Sequence, residues 1–342
     1  RQKASFSRVF TAPDDPTAID EAASLSPVIL NPLLTHAGKR PVSSPATTAV
    51  VDTLTRCRAA QRRLRNTLVF VAADDPALAT AREVMRRALA WASIEKDGRL
   101  QQQMTTHQIK DATDKARSGR DAAVKAVRAA WSHLFVAVRS ETPGKPFDLE
   151  HSTITARDRT ALPGFIYDKI RSDSTILEKL GADRLWMYLQ PIWPDDRPHL
   201  SVDEVVDWFT QFVYLPKLRD RVVLEAAIRD AVGKLDPKFA YADSFDAATG
   251  RYHKLILARN PPELTPPTAL LVRRAEADRQ LAQEAPPPVQ VPKPSVAATP
   301  SAVVDNVPSP PAPPAAPRKP TRFYGSVTLD EFARELPGQF VE

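Results

Sequence analysis

Apolar positions are spaced differently in successive stretches of this chain, and the spacing predicts its elements. Residues 1–48 hold short apolar pieces such as SPVILNPLL, punctuated by Asp14-Asp15-Pro16, Pro27, Pro32, Pro41 and Pro45. They predict an irregular entry. From Thr48 to Leu64 the spacing is helical, with Val51, Leu54 and Cys57 on one stripe and Arg56, Arg58, Arg62, Arg63 and Arg65 forming a basic one. NTLVFVAAD (66–74) is a continuous apolar run rich in β-formers, which suits a strand buried on both faces. Asp74-Asp75-Pro76 supplies a helix start, since Asp caps and Pro is tolerated at the first helical position. The helix that follows places Leu78, Ala81, Val84, Met85, Ala88, Leu89 and Trp91 on one face. Residues 95–132 predict a second, longer helix. Its first part is almost wholly polar, so it must project into solvent or find a partner. Its last part regains a stripe at Val124, Val127 and Trp131, and HLFVAV (133–138) reads as another strand.

Between Ser174 and Arg259 the pattern predicts three amphipathic helices followed by a hairpin. STILEKLGADRLWMYLQPIW is the first helix. SVDEVVDWFTQFV is the second, with Ser201 and Glu204 at capping-box spacing. LRDRVVLEAAIRDAVGK is the third. KFAYADSF and RYHKLILAR, separated by DAATG, form the hairpin. Three helices and a β-hairpin in this order are the layout of a winged helix-turn-helix. Residues 286–320 contain 13 prolines and predict an extended, disordered polyproline-II-like tether. The fold class is therefore α+β and mainly helical. The expected layout is an irregular entry (1–48), partial α/β core elements with a long polar projecting helix (49–150) and a winged-helix-like domain (151–262). A helical connection (263–285), the Pro-rich linker (286–320) and the start of a further domain (321–342) follow.

Composition narrows the function classes. Of 342 residues 43% are hydrophobic and 26% charged, enough for a buried core. Only 10 glycines, against 33 prolines, leave little for Gly-rich phosphate loops. The formal charge of +6 permits a nucleic-acid partner without requiring one. One cysteine, Cys57, excludes an internal disulfide and suits a reducing, cytoplasmic setting. No apolar run approaches the length of a membrane span. The chain opens RQKASFSRVF and closes on an uncapped amphipathic element, which reads as a fragment of a longer protein.

Several catalytic chemistries lack their residues. The Gly-Lys pairs Gly38-Lys39, Gly144-Lys145 and Gly233-Lys234 are followed by Arg, Pro and Leu, so no P-loop is present. VFVAADD mimics a Walker-B strand, but without a P-loop Asp74 and Asp75 are better read as helix-capping acids. The six histidines are scattered, with no H-E-x-x-H, so no metal site and no catalytic residue is assigned. The arginine cluster at 56–65, with Arg62, Arg63 and Arg65, is a candidate trans-acting arginine finger or phosphate-backbone contact, against the plainer reading of a solvated basic face. If the winged-helix-like domain binds DNA, Lys217, Arg219, Arg221, Arg229, Arg251, His253 and Lys254 are its candidate contacts, diluted by Asp220, Glu225 and Asp230. A remote alternative is a Mg²⁺-dependent nuclease built on Asp195, Asp236 and Lys238.

The order of SFSRVF, AIDEAASLSPVILNPLL, RCRAAQRRLRNTLVFVAADD, REVMRRALAWASI, LEKLGADRLWMYLQPIWPDDRPHLSVDEVVDWF and YLPKLRDRVVLEAAIRDAV resembles the C-terminal half of a family of large predicted AAA-type ATPases, domain-of-unknown-function family 499. The resemblance runs over the whole chain, including the Pro-rich tether and the RFYGSV run after it. It implies a phage-defence or DNA-modification system in bacteria and a nucleotide-binding loop upstream of Arg1. ATP and Mg²⁺ are then cofactors of the parent protein, with none in this segment. It implies as partners the upstream ATPase domain of the same chain, DNA, and further copies in a homo-oligomer, with no membrane. The expected function is thus the P-loop-less C-terminal portion of a DNA-associated ATPase, the alternative being a non-enzymatic winged-helix module that binds nucleic acid or protein.

Overall fold

Parallel strands at the start of the chain lay down one half of a sheet. A computed structural model describes residues 6–155, 161–262 and 265–284; the linker expected at 286–320 and the piece at 321–342 lie outside the described residues. β1 (Phe10–Thr11), β2 (Ser26–Ile29) and β3 (Thr35–His36) come first, followed by α1 (Pro45–Thr55). A small hairpin of β4 (Arg56–Cys57) and β5 (Ala60–Gln61) leads to β6 (Leu68–Asp74). The helix expected over 48–64 therefore ends at Thr55. Its N-terminus is set by Ser44, whose side chain accepts from Thr47 N while Thr47 returns the bond, with Pro45 in the first turn. At the other end Arg58 adopts a left-handed φ of 55° to make the hairpin turn.

From β6 the chain leaves the sheet as a helical hairpin, α2 (Asp75–Lys96), the short α3 (Gly98–Gln103) and α4 (Thr106–Ala130), and returns as β7 (Trp131–Val138) and β8 (Asp148–Thr153). The sheet order is β1-β2-β6-β7-β8, with β3 pairing the far end of β6 beside β2. β1, β2, β3 and β6 run parallel, and β7 and β8 antiparallel to their neighbours. β6 is buried along nearly all its length, as its apolar run predicts. Leu68, Phe70 and Ala72 face α1, packed with Val50 and Leu54, while Val69 and Val71 face the opposite side. There they meet Ile166, Tyr167 and Ile170 of α5 (Leu162–Ser172). The domain boundary expected at 150/151 falls inside β8, which pairs with β7.

The remaining elements are β9 (Ile176–Leu177), α6 (Ala182–Leu189), β10 (His199–Ser201), α7 (Val202–Gln211), β11 (Lys217–Leu218), α8 (Arg221–Gly233), β12 (Phe239–Ala242), β13 (Ser244–Asp246), β14 (Arg251–His253), β15 (Leu270–Arg273) and α9 (Arg274–Glu284). The fold is thus mixed α+β. Three sequence expectations are adjusted here. The helix expected at STILEKLGADRLWMYLQPIW begins only after Gly181, because Ile176 and Leu177 pair with β11. Ser201 caps α7 through Asp203 N, and Glu204 turns instead to a bidentate pair with Arg197. The connection expected to be only helical supplies β15, the middle strand of the three-stranded sheet β10-β15-β12. The hairpin at DAATG forms as β13–β14, with Gly250 at a positive φ of 68°.

Candidate functional site

The arginines singled out between 56 and 65 do not share one exposed face. Arg62 is 1% exposed. Its Nε donates to Thr53 O at 2.6 Å and Arg56 O at 3.3 Å, and its Nη2 donates to Ile19 O at 2.7 Å. These carbonyls include the unpaired C-terminal end of α1, so the guanidinium caps that helix and pins the entry segment to it. Burial pulls its pKa below the ordinary arginine value, with Cys57, Glu21 and Asp20 acting in the opposite sense. Arg62 is therefore buried and spent on bonds within the chain rather than presented at the surface. Arg63 pairs with Asp207 of α7 at 3.1 Å, and Arg65 Nε donates to Arg62 O.

Of the cations expected to touch DNA, Lys217 is buried, and Arg219, Arg221, Arg251 and Lys254 pair with carboxylates at the surface. Lys217 is 4% exposed, so it does not reach a phosphate backbone. Its Nζ donates to Asn66 Oδ1 and to Ala137 O. Asn66 in turn donates to Phe209 O and Leu215 O, binding the β6 entry to the α7 end. Burial lowers the Lys217 pKa to about 7, partly opposed by Glu150. Arg219 pairs with Asp220 at 2.8 Å, and Arg221 with Asp203 and Glu225, each at 2.6 Å. Arg251 pairs with Glu284, and Lys254 with Asp243 at 2.8 Å. Arg229 is partly buried on α8. Each carboxylate screens its partner's charge before an anion could. The remote nuclease set does not converge on a vacant metal position: Asp236 is held by Lys238 at 3.0 Å and Arg274 at 3.3 Å, and Asp195 faces Arg273.

What sequence spacing missed is a cluster of histidines. His36 ends β3, His133 lies on β7 and His151 on β8; β8 pairs with β7, and β3, far earlier in the chain, pairs with β6 on the other side of β7. His133 stands opposite Ala72, and His151 stands opposite Phe135, two positions along on the same face. Ring centroids are 4.8 Å apart for His36–His133, 5.0 Å for His133–His151 and 5.2 Å for His36–His151, with Phe135 against both His36 and His151. His36 is 1% and His133 4% exposed, and His151 is partly exposed.

Outer partners hold all three rings. Asp74 does two things: Oδ2 accepts from Ala77 N at 3.0 Å, capping α2 as the sequence predicts, and Oδ1 lies 3.0 Å from His133 Nε2. Ser44, the cap of α1, has its Oγ 2.9 Å from His36 Nδ1. His151 Nδ1 lies 3.1 Å from Lys39 O. Burial is the main cause lowering all three pKa values below the ordinary histidine value, helped at His36 by His133 and at His133 by His151. The neutral rings are acid–base groups and nitrogen ligands. Among the described residues this is the one group of three or more His, Cys, Asp or Glu side chains arranged so that it could hold a metal ion. The only sequence signal was the strand alternation that aligns His133 with Phe135, and it could not reveal that β3 and β8 bring partners to that face. No family model, curated protein or solved structure matches this chain.

Proposed function

We propose that this chain is the P-loop-less C-terminal portion of a DNA-associated AAA-type ATPase, in which residues 182–273 form a winged-helix-like module that docks on protein rather than reading DNA. The winged-helix reading is supported by element order and pairing. Helix α6, strand β10, helices α7 and α8, strand β12, the β13–β14 hairpin and strand β15 follow one another, and β15 lies between β10 and β12. In DNA-reading modules of this kind the later helix enters a groove and its cations meet phosphates.

The observation that carries the docking role is the internal pairing of Arg219, Arg221, Arg251 and Lys254 with Asp220, Asp203, Glu225, Glu284 and Asp243. The partner carboxylates lower the net positive charge this face offers to phosphate, while each half-exposed pair itself is worth no more than about 1 kcal/mol. The outward face of α8 is led instead by Val222, 62% exposed, beside the exposed Ala226. The partner is the upstream ATPase domain of the parent chain, and the module's firm attachment to the sheet through Asn66 and Lys217 lets it pass force to the body. Hydrolysis itself belongs to that upstream domain.

Two measurements test this reading. The chain alone is expected to turn over no Mg-ATP. Replacing Arg219 and Arg221 by Gln is expected to leave the anisotropy titration of a short labelled duplex within about twofold of the parent chain. ATP turnover by the chain alone, or a tenfold loss of duplex affinity on that replacement, would overturn it.

A further inference from the structure

The hydrogen bonds around the histidine cluster leave a charge unaccounted for. Asp74 is a carboxylate and accepts, so His133 carries its proton on Nε2. Lys39 O is a carbonyl and accepts, so His151 carries its proton on Nδ1. As neutral imidazoles the two rings then turn lone pairs toward each other, His133 Nδ1 against His151 Nε2, at 2.9 Å. Two facing lone pairs at that distance repel unless a positive charge lies between or beside them. A third nitrogen, His36 Nε2, is buried and has no hydrogen-bond partner, while its Nδ1 faces Ser44. A buried nitrogen left unpaired carries the full cost of losing its hydration. With His36 donating its Nδ1 proton to Ser44 Oγ, the repulsion and the orphaned Nε2 have one common remedy, a cation that accepts all three lone pairs.

We propose that His36 Nε2, His133 Nδ1 and His151 Nε2 bind one divalent transition-metal ion of the zinc class. One ring nitrogen from each of the three histidines lies within 4.8 Å of the others, and His133 Nδ1 and His151 Nε2 are 2.9 Å apart. Nitrogens sharing a tetrahedral zinc at ~2.0–2.1 Å are ~3.4 Å apart, so ring rotations of about 1 Å complete the site. Imidazole ligands select zinc, cobalt, nickel or copper over magnesium and calcium, which take oxygen. Each ligand has the outer partner such sites use: Asp74 carboxylate on His133, Ser44 hydroxyl on His36 and the Lys39 carbonyl on His151. The ion ties the 37–44 segment and the start of α1 to β7 and β8. Three protein ligands leave a fourth position for water or a further donor, on the side where His151 is partly exposed.

The test uses the whole chain, stripped with a chelator and titrated with Co²⁺ and then Zn²⁺. One Co²⁺ per chain is expected, with visible d–d bands of a nitrogen-ligated tetrahedral ion that Zn²⁺ abolishes. His151→Ala and His36→Phe, the latter chosen because the ring already packs edge-on to Phe135, are expected to weaken Zn²⁺ at least about 100-fold. Asp74→Asn keeps a capping side chain but weakens the carboxylate hold on His133, and is expected to cost about 10–100-fold. A His107→Ala/His253→Ala control, removing exposed histidines outside the cluster, is expected to bind as the parent does. If both ligand variants fail to show native circular dichroism, the parent cobalt spectrum and Asp74→Asn decide. No saturable binding by the parent chain below millimolar metal, or affinity unmoved in folded His36→Phe and His151→Ala, overturns the proposal and leaves a shared proton between His133 and His151.

Discussion

Two charged side chains in the interior show how much a single residue settles. Arg62 closes the end of α1 from inside, so removing it strips the Thr53 carbonyl of its side-chain donor and leaves Ile19 O only the weak Cys57 thiol donor. Arg62→Met is expected to cost ~2–4 kcal/mol in urea unfolding, against under ~1 kcal/mol for Arg63→Ala, whose partner Asp207 is exposed. Equal effects would contradict the capping role. Lys217 adds a pH dependence. Its pKa falls from 10.5 to about 7 on folding because of burial. Below about pH 7 the amine is charged in both states and the folded state bears the whole cost of burying it. Between the two values the unfolded chain holds one proton more, so stability rises with pH. The stability of the parent relative to Lys217→Met is expected to rise from about pH 7 to about pH 10; a flat difference would contradict it. Arg62 illustrates the limit of reading charge from sequence: helical spacing put it on a basic stripe, and only the turn at Arg58 swings it inward. The histidines were illegible for a related reason, since strand pairing between distant segments leaves no local spacing.

The helical hairpin α2–α4 is the element whose packing departs most from its pattern. Val124 and Leu89 read as members of apolar stripes, yet Leu89 is 63% exposed and Val124 is exposed too. The buried positions are Ala81 and Ala88 on α2 with Ala112, Ala116, Ala123 and Ala130 on α4. A Cβ on Gly119 would stand 3.3 Å from the Ala88 Cα, so the two backbones approach closely along a seam of small side chains. α4, 25 residues and about 38 Å long, thus finds its partner in α2. Ala116→Leu is expected to cost ~1–3 kcal/mol and to speed amide exchange along both helices while leaving β6 and β7 protected. Unchanged exchange on α2 would contradict the seam. β6 was legible because its continuous apolar run is buried on both faces, and α7 and α8 because one packing face dominates each. β15 was not, because four residues of strand between Pro-rich turn and helix carry too short an alternation.

At the scale of the whole molecule, the start of β6 and the end of α7 are joined by buried polar bonds at Asn66, with the exposed Arg63–Asp207 pair beside them. Asn66 reaches Phe209 and Leu215, Asn66 N reaches Thr210 O, and Arg63 reaches Asp207. Such a junction suits transmission of movement from a neighbour better than free swinging on a linker. Under the proposed docking role, Val222→Asp on the outward face of α8 is expected to weaken association with the ATPase domain proposed for the parent chain about tenfold in a binding titration, with the melting temperature unchanged; unaltered association would contradict that proposal. The central claim, that the module's cations are spent within the protein, is tested most directly by the salt dependence of duplex-DNA binding. The slope of log affinity against log salt is predicted to correspond to no more than about two phosphate contacts. A slope corresponding to six or more would show those arginines and lysines meeting DNA, and would contradict the account.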